Sequence, residues 1–206
     1  MDVSAPYHAI SPSLDLDVLV VLAGTTAPLS AHAVRQRAQR GSDRGVRLAL
    51  SRLTVQGLVD ASPAGKATLY VLNQDHLAAP IVHALAALRT ELLDRVRADL
   101  ATWTIAPVHA SLFGSTARRD GDTDSDIDLL LVRPSGTGEE TPRWADAVSH
   151  LTEQIERWTG NHVGLAEISE EEIGRLRDTR PAIVAELERE AIDLAGVPVR
   201  QLLRSA

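Results

Sequence analysis

The sequence lacks cysteine altogether and contains no long hydrophobic run. Without cysteine, the chain can form neither a disulfide bond nor a thiolate zinc site, so nothing ties it to an oxidising compartment. The longest early apolar run, residues 18–23, is far too short to span a bilayer, and the first residues lack the basic and apolar regions of a secretory signal. These absences favour a cytoplasmic protein with no membrane partner.

The composition is otherwise that of an ordinary globular protein, with 44% hydrophobic and 24% charged residues among 206. The net charge of -7 is unevenly distributed, because residues 1–75 hold seven basic and six acidic residues, a net charge of +1. The remaining 131 residues hold fourteen basic and twenty-two acidic residues, a net charge of -8. We therefore expect two domains that differ in kind.

Two aspartates stand one residue apart at the head of an apolar run that continues to residue 132. In a strand, alternate side chains share a face, so Asp126 and Asp128 project together while Ile127 points into the protein. Two carboxylates that converge on one small volume repel each other unless a cation neutralises them. Hard oxygen ligands in this number suit Mg²⁺, which takes phosphate oxygens among its other ligands. The pair therefore predicts a metal site for a Mg-nucleotide.

A glycine-serine turn precedes this aspartate pair. Residues 108–113 predict a short buried strand that ends at Gly114, where the missing Cβ lets a phosphate approach the backbone. Ser115 is expected to begin and cap a helix whose free N–H groups can hold a phosphate. Arg118, about one turn further on, can reach the same anion. Gly114, Ser115 and Arg118 are therefore the candidate nucleotide-binding residues.

Gly114-Ser115, a gap of ten residues and Asp126-Ile-Asp128 resemble the signature of the DNA polymerase beta-type nucleotidyltransferase superfamily, in particular its minimal branch. Arg119 departs from the glycine that is usual at its position. The resemblance implies transfer of a nucleoside monophosphate from a triphosphate, with ATP expected first, to an acceptor hydroxyl with Mg²⁺ as cofactor. Relatives of this branch modify proteins, small molecules or transfer RNA ends, and several belong to toxin-antitoxin pairs.

The aspartate-rich segment has two other interpretations. Asp120 to Asp128 alternate as in a calcium loop, but Ser125 stands where that loop needs glycine and Leu131 where it needs glutamate. A solvated acidic hairpin without a ligand leaves unexplained why the last two aspartates enter so apolar a strand.

Active members of the resembled superfamily usually carry a third carboxylate on a later strand. Here the expected strand, residues 162–167, has Gly164 where the acid is expected. Glu167 is the nearest substitute and is our candidate third catalytic residue beside Asp126 and Asp128. By strict alternation, however, Glu167 shares a face with Val163, so a bulge would be needed to bring it in. The alternative is that Glu167 belongs to the acidic start of the following helix.

Residues 1–75 predict three helices followed by a hairpin. The first helix covers 14–23, Ser30 caps a second that runs to about residue 39, and Ser42 caps a third that runs to about residue 56. Two extended runs, 58–63 and 67–72, flank a turn at Gly65. This order resembles a winged helix-turn-helix DNA-binding domain.

The same segment has a local excess of positive charge. Between residues 29 and 66, seven basic residues face two acidic ones, a net charge of +5. We expect contacts to duplex DNA from the following residues: Arg37, Arg40, Arg44, Arg47 and Lys66. The alternatives are an arginine excess that reflects codon usage, and a winged helix that serves as a protein-protein module.

Apolar residues that recur every three or four positions predict a long connecting helix over 76–104, which can pair with a second subunit or pack within one chain. Residues 105–206 are then the nucleotidyltransferase-like domain, with helices over 145–158, 170–178 and 181–191 and a short tail. The expected fold class is α+β: a winged helix-turn-helix, a connecting helix, and a mixed sheet flanked by helices.

Two functions follow as expectations, beside a purely structural adaptor that binds no nucleotide, which would require the aspartate pair to be accidental. The first is a Mg-nucleoside triphosphate-dependent transferase with a nucleic-acid-binding domain. The second is a DNA-binding regulator or antitoxin-type protein whose transferase domain has lost its chemistry and serves as a nucleotide sensor or docking surface. Gly164 supports the second.

Overall fold

The computed structural model describes residues 1–118, 122–123 and 125–204. The chain divides into two compact units. The N-terminal unit comprises Ala5–Arg89, and the C-terminal unit comprises Met1–Ser4 together with Thr90–Ala206. Over the ranges just given, no helix combines the length and apolarity needed to cross a bilayer.

The N-terminal unit is built mainly from three helices. After a short 3-10 turn, these are α1 (Leu14–Ala23), α2 (Ala31–Ala38) and α3 (Asp43–Val55). Each begins after a serine whose hydroxyl accepts a backbone N–H bond from the first turn: Ser13, Ser30 and Ser42. Such caps satisfy N–H groups that have no partner within the helix, which is why the helices begin where they do.

A small antiparallel sheet completes the N-terminal unit. Its strands are β1 (Leu29–Ser30), β2 (Val59–Ala64) and β3 (Ala67–Leu72), in the order β1-β3-β2. The β2–β3 hairpin turns at Gly65, whose φ of 62° favours glycine. The helices and the sheet bury one apolar cluster that includes Val18, Val34 and Leu50.

The C-terminal unit contains a four-stranded mixed sheet. Its strands are β4 (His109–Leu112), β5 (Ile127–Arg133), β6 (Val163–Ser169) and β7 (Ile192–Gly196), in the order β6-β5-β4-β7. β5 and β6 are parallel, whereas β4 is antiparallel to both β5 and β7. The remaining helices are α4 (Ala79–Leu100), α5 (Gly114–Arg118), α6 (Pro142–Thr159), α7 (Glu170–Thr179), α8 (Ala182–Glu190) and α9 (Val199–Leu202).

The central strand β5 divides its side chains between two cores. Ile127, Leu129 and Leu131 pack with residues of α6 and of the second half of α4. Leu130 and Val132 lie on the opposite face and pack with residues of α7, α8 and α9. This alternation places Asp128 on the face that α7, α8 and α9 cover.

The α+β class and the mixed sheet expected from the sequence are confirmed. Two strands were not expected. β1 has only two residues, and β7 lies where we expected a short tail. β7 is short, and its Asp193 and Gly196 disrupt the apolar pattern that would have marked it as a strand.

Candidate functional site

Asp126 and Asp128 lie at the start of β5 with their side chains on one side of the sheet. Ile127 between them is fully buried, so it fixes which way the two carboxylates face. A Cβ placed on Gly164 would lie 3.8 Å from the Asp126 Cβ and 2.9 Å from the Asp128 Oδ1. The two aspartates therefore flank the same point of the neighbouring strand, as the alternation predicts.

The glycine-serine turn lies directly beside this pair. Gly114 has a φ of 61°, and a Cβ at this position would overlap the Asp128 carboxylate. The Phe113 N–H donates to the Asp128 carbonyl at 3.0 Å, and the buried Thr116 hydroxyl donates to the Asp126 carbonyl at 3.3 Å. These bonds hold α5, which contains Ser115, against the start of β5.

Gly164 lies opposite Asp128 on β6. The two residues are register partners, and their side-chain directions converge, since a Cβ on Gly164 would approach the Asp128 Oδ1 within 2.9 Å. Asp128 thus occupies the space between Gly114 and Gly164. The absence of a Cβ at both positions is what allows the carboxylate to lie there.

The electrostatics of the site favour a cation. Burial raises the pKa of Asp128, the neighbouring Asp126 carboxylate raises it further, and Arg118 opposes them in part. A raised carboxyl pKa means that the ionised form lacks stabilisation, which a divalent cation would supply. The residues present therefore fit a hard cation such as Mg²⁺. Within the described ranges, no group of three or more His, Cys, Asp or Glu side chains is arranged to hold a metal, so this part of the chain offers two carboxylates.

Glu167, our candidate third catalytic residue, is not brought to the aspartate pair. It lies on β6 opposite Leu131, an odd number of residues from Gly164, and therefore faces the other side of the sheet. There its Oε1 accepts a bond of 2.8 Å from the Trp144 indole and lies 2.7 Å from the Arg133 Nε. Nor does it start a helix, because Ser169 is the N-cap of α7.

Arg118, the last residue of α5, interacts with both the site and α8. Its charge acts on Asp128, as noted above, and its Nη1 lies 3.1 Å from the Glu190 Oε2. The family signature includes position 119, and the alternating aspartates include positions 120 and 124. The structure does not describe Arg119, Asp120 or Asp124.

The model of the nucleotidyltransferase domain family matches residues 89–200, just over half of the chain. The chain belongs to this family. No curated protein matches the chain. Among solved structures, human N-acetylserotonin methyltransferase in complex with SAM aligns with 47% of this chain and 31% of its own length, at 20% identity and a TM-score of 0.29. So low a TM-score carries no argument about fold or function.

Three residues of the nucleotidyltransferase domain contribute to the site without having been expected from the sequence. Thr116 and Glu190 are described above. The third is Asn161, which is buried and whose Nδ2 donates to the Ser125 carbonyl at 2.9 Å, one residue before Asp126. The sequence shows only Gly160-Asn161 at a helix end, a common arrangement for ending a helix.

In the N-terminal unit, all five candidate DNA contacts are exposed. Four of them lie on α2, α3 or the hairpin turn: Arg37, Arg44, Arg47 and Lys66. Arg40 is also exposed, but its Nη1 lies 2.7 Å from the His8 Nε2 and 3.9 Å from Asp17. Arg47 and Lys66 both line a groove of about 470 Å³ between the start of α2, α3 and the hairpin. The structure thus brings these two cations to one concave surface.

Proposed function

We propose that the C-terminal unit binds a nucleoside triphosphate with Mg²⁺ and transfers a nucleoside monophosphate to an acceptor hydroxyl. The observation that supports this most is the position of Asp128 directly over Gly114, beside the turn that carries Ser115. Family membership supports a nucleotidyltransferase-like activity. ATP is the nucleotide to test first.

The roles of the residues follow from their chemistry. Asp126 and Asp128 hold Mg²⁺, which when bound neutralises the triphosphate. The Gly114 backbone and the Ser115 hydroxyl bind phosphate oxygens, and Arg118 donates charge-assisted bonds to them. These contacts orient the α-phosphorus, so that the acceptor oxygen bonds to it as the bond to the leaving pyrophosphate breaks and the hydroxyl proton passes to solvent.

A second function is favoured by Gly164. Its position opposite Asp128 is where the family resemblance leads us to expect an acid, and Glu167 faces away from it. The second candidate is therefore a DNA-binding regulator or antitoxin-type protein that binds the nucleotide as a signal, or docks a partner, without transferring it.

One experiment separates the two functions. Purified protein is titrated with labelled ATP in the presence and absence of Mg²⁺, and is then incubated with cell lysate while pyrophosphate and labelled product are followed. Binding with pyrophosphate release and a labelled product supports transfer. Binding without release supports a regulator that senses the nucleotide. Failure to bind any of the four ribonucleoside triphosphates excludes transfer and nucleotide sensing and leaves a docking surface.

For the N-terminal unit, we propose a winged helix that binds duplex DNA. The helix order, the antiparallel hairpin and the groove that joins Arg47 to Lys66 support this proposal. Arg44 and Arg47 lie near the start of α3, which would enter the major groove, and Lys66 at the hairpin turn would contact phosphate.

The test measures affinity for genomic duplex fragments by fluorescence anisotropy at several salt concentrations. We expect an affinity that falls with salt, and that falls further in Arg44→Ala and Arg47→Ala. Arg40→Ala should matter less, because Arg40 already contacts His8. Binding that is absent or independent of salt would contradict the proposal.

A further inference from the structure

Glu190, the last residue of α8, lies beside the candidate nucleotide site but belongs to none of its expected motifs. The residue that follows it leads directly into β7, whose Ile192 pairs with Leu112 of β4, two residues before Gly114. Because β7 and β4 are antiparallel, the start of β7 lies at the same end of the sheet as the end of β4. The backbone of Glu190 is therefore anchored next to the glycine-serine turn.

The two carboxylate oxygens of Glu190 contact different arginines. Oε2 lies 3.1 Å from the Arg118 Nη1, and Oε1 accepts a bond of 2.7 Å from the Arg189 Nε. The Glu190 side chain is only 13% exposed, whereas that of Arg118 is 37% exposed. The glutamate is thus the better anchored member of the Arg118–Glu190 pair.

Arg118 sits on a helix of five residues, and a long arginine side chain has many rotamers in the absence of a partner. Its helix begins at Gly114, where a Cβ would overlap the Asp128 carboxylate, so Arg118 belongs to the same short helix as the other candidate phosphate-binding residues. A guanidinium carries five N–H donors in a rigid fork, a geometry that matches the oxygens of a phosphate as well as those of a carboxylate.

We propose that Glu190 is a positioning residue that holds the Arg118 guanidinium in place for the phosphates of the bound nucleotide. This inference rests on the proposed function, because it assigns a partner to a residue of the same site. Holding Arg118 in advance reduces the entropy lost when the triphosphate binds. The glutamate acts through Arg118 and makes no contact with the nucleotide.

The test is a double-mutant cycle on affinity for Mg-ATP, measured by isothermal titration calorimetry with full-length protein. Glu190→Ala should weaken binding by about threefold to tenfold, the usual cost of ordering one long side chain. Glu190→Gln keeps an oxygen acceptor and should lose less. In an Arg118→Ala background, Glu190→Ala should have no further effect, which a general structural role of α8 would not produce.

Glu188→Ala is the matched control, because Glu188 lies on the same helix and pairs with Arg180 at 2.7 Å. It should leave Mg-ATP affinity unchanged. The inference would be overturned if Glu190→Ala lost the same Mg-ATP affinity in the presence and absence of Arg118. Tighter binding of Mg-ATP by Glu190→Ala would also overturn it, because it would mean that Glu190 competes with phosphate. If the wild-type protein does not bind Mg-ATP at all, the proposed function itself fails. If wild type binds Mg-ATP and both Glu190→Ala and Glu190→Gln bind it as tightly as wild type does, this inference alone fails.

Discussion

Asp128 and Gly164 face each other across β5 and β6, and the carboxylate of the first fills the space that a side chain of the second would need. Gly164 is therefore more than a missing acid. Its lack of a Cβ lets Asp128 lie between two glycines and beside the turn that precedes α5. A side chain at this position would first meet the end of the Asp128 carboxylate, which would have to shift.

This relationship predicts that Gly164→Ala and Gly164→Asp both weaken Mg-ATP binding, by about threefold, because either side chain shifts the end of the Asp128 carboxylate. Titration calorimetry measures the effect. The matched control is Gly174→Ala, since Gly174 lies in α7 with nothing within 4 Å of its added Cβ. Stronger binding or faster pyrophosphate release in Gly164→Asp would show that position 164 can accept the acid without displacing Asp128.

Glu167 should prove structural. Glu167→Gln removes one of two carboxylates that pair with Arg133, which is only 7% exposed and keeps its pair with Glu139. The free energy of unfolding should therefore fall by about 1 kcal/mol. Mg-ATP affinity and any pyrophosphate release should stay at the wild-type level. Urea unfolding and a pyrophosphate assay measure the two quantities. Loss of activity in a variant of unchanged stability would restore Glu167 as a candidate catalytic residue.

Much of this arrangement was predictable, because strand alternation is a local rule. It placed Asp126 and Asp128 on one face, and it indicated that Glu167 points away from them. The partners of the Glu167 side chain were not predictable. Arg133 and Trp144 meet Glu167 only because β5 and β6 pair in one particular register and α6 packs over them.

Glu190 shows a second limit of local reasoning. Its distance from Arg118 along the chain is 72 residues, and the contact depends on β7 lying next to β4. The β7 strand was itself missed, because five residues with Asp193 and Gly196 among them carry too weak a pattern. A contact that depends on an unrecognised strand cannot be inferred from the sequence.

We expect Asn161 to stabilise the proposed metal site through the backbone next to Asp126. Asn161→Ala removes the bond to the Ser125 carbonyl, so we expect a lower free energy of unfolding and weaker Mg²⁺-dependent nucleotide binding. Asn73→Ala is a matched control, because its amide donates to the Gly57 carbonyl at 2.8 Å in the N-terminal unit. The control should lose stability without losing nucleotide affinity. Equal nucleotide affinity in wild type and Asn161→Ala would contradict the expected role.

His109 should make stability depend on pH. Burial lowers the pKa of His109, and the bond to the Val197 carbonyl and the nearby Asp193 oppose this only in part. The unfolded chain therefore binds a proton before the folded protein does. Stability is retained above the unfolded pKa of about 6.5 and falls as the pH drops from there through the folded pKa, by up to about 1.4 kcal/mol per pH unit.

Urea unfolding between pH 7.5 and 5 measures this slope, and NMR titration of the His109 ring measures its pKa directly. His109→Gln should reduce the slope in this range, whatever its effect on stability at neutral pH. A ring that titrates at or above 6.5 in the folded protein would contradict the prediction.

We propose above all that Asp126 and Asp128 jointly hold a divalent cation and, with it, a nucleoside triphosphate. Titration of Mg-ATP into wild type, Asp126→Asn and Asp128→Asn tests it most directly, with Asp146→Asn, an exposed change of the same charge on α6, as the control. We predict that wild type and Asp146→Asn bind ATP only with Mg²⁺, and that each site variant loses at least about tenfold in affinity. Binding that needs no metal, or that survives both substitutions unchanged, would contradict the account.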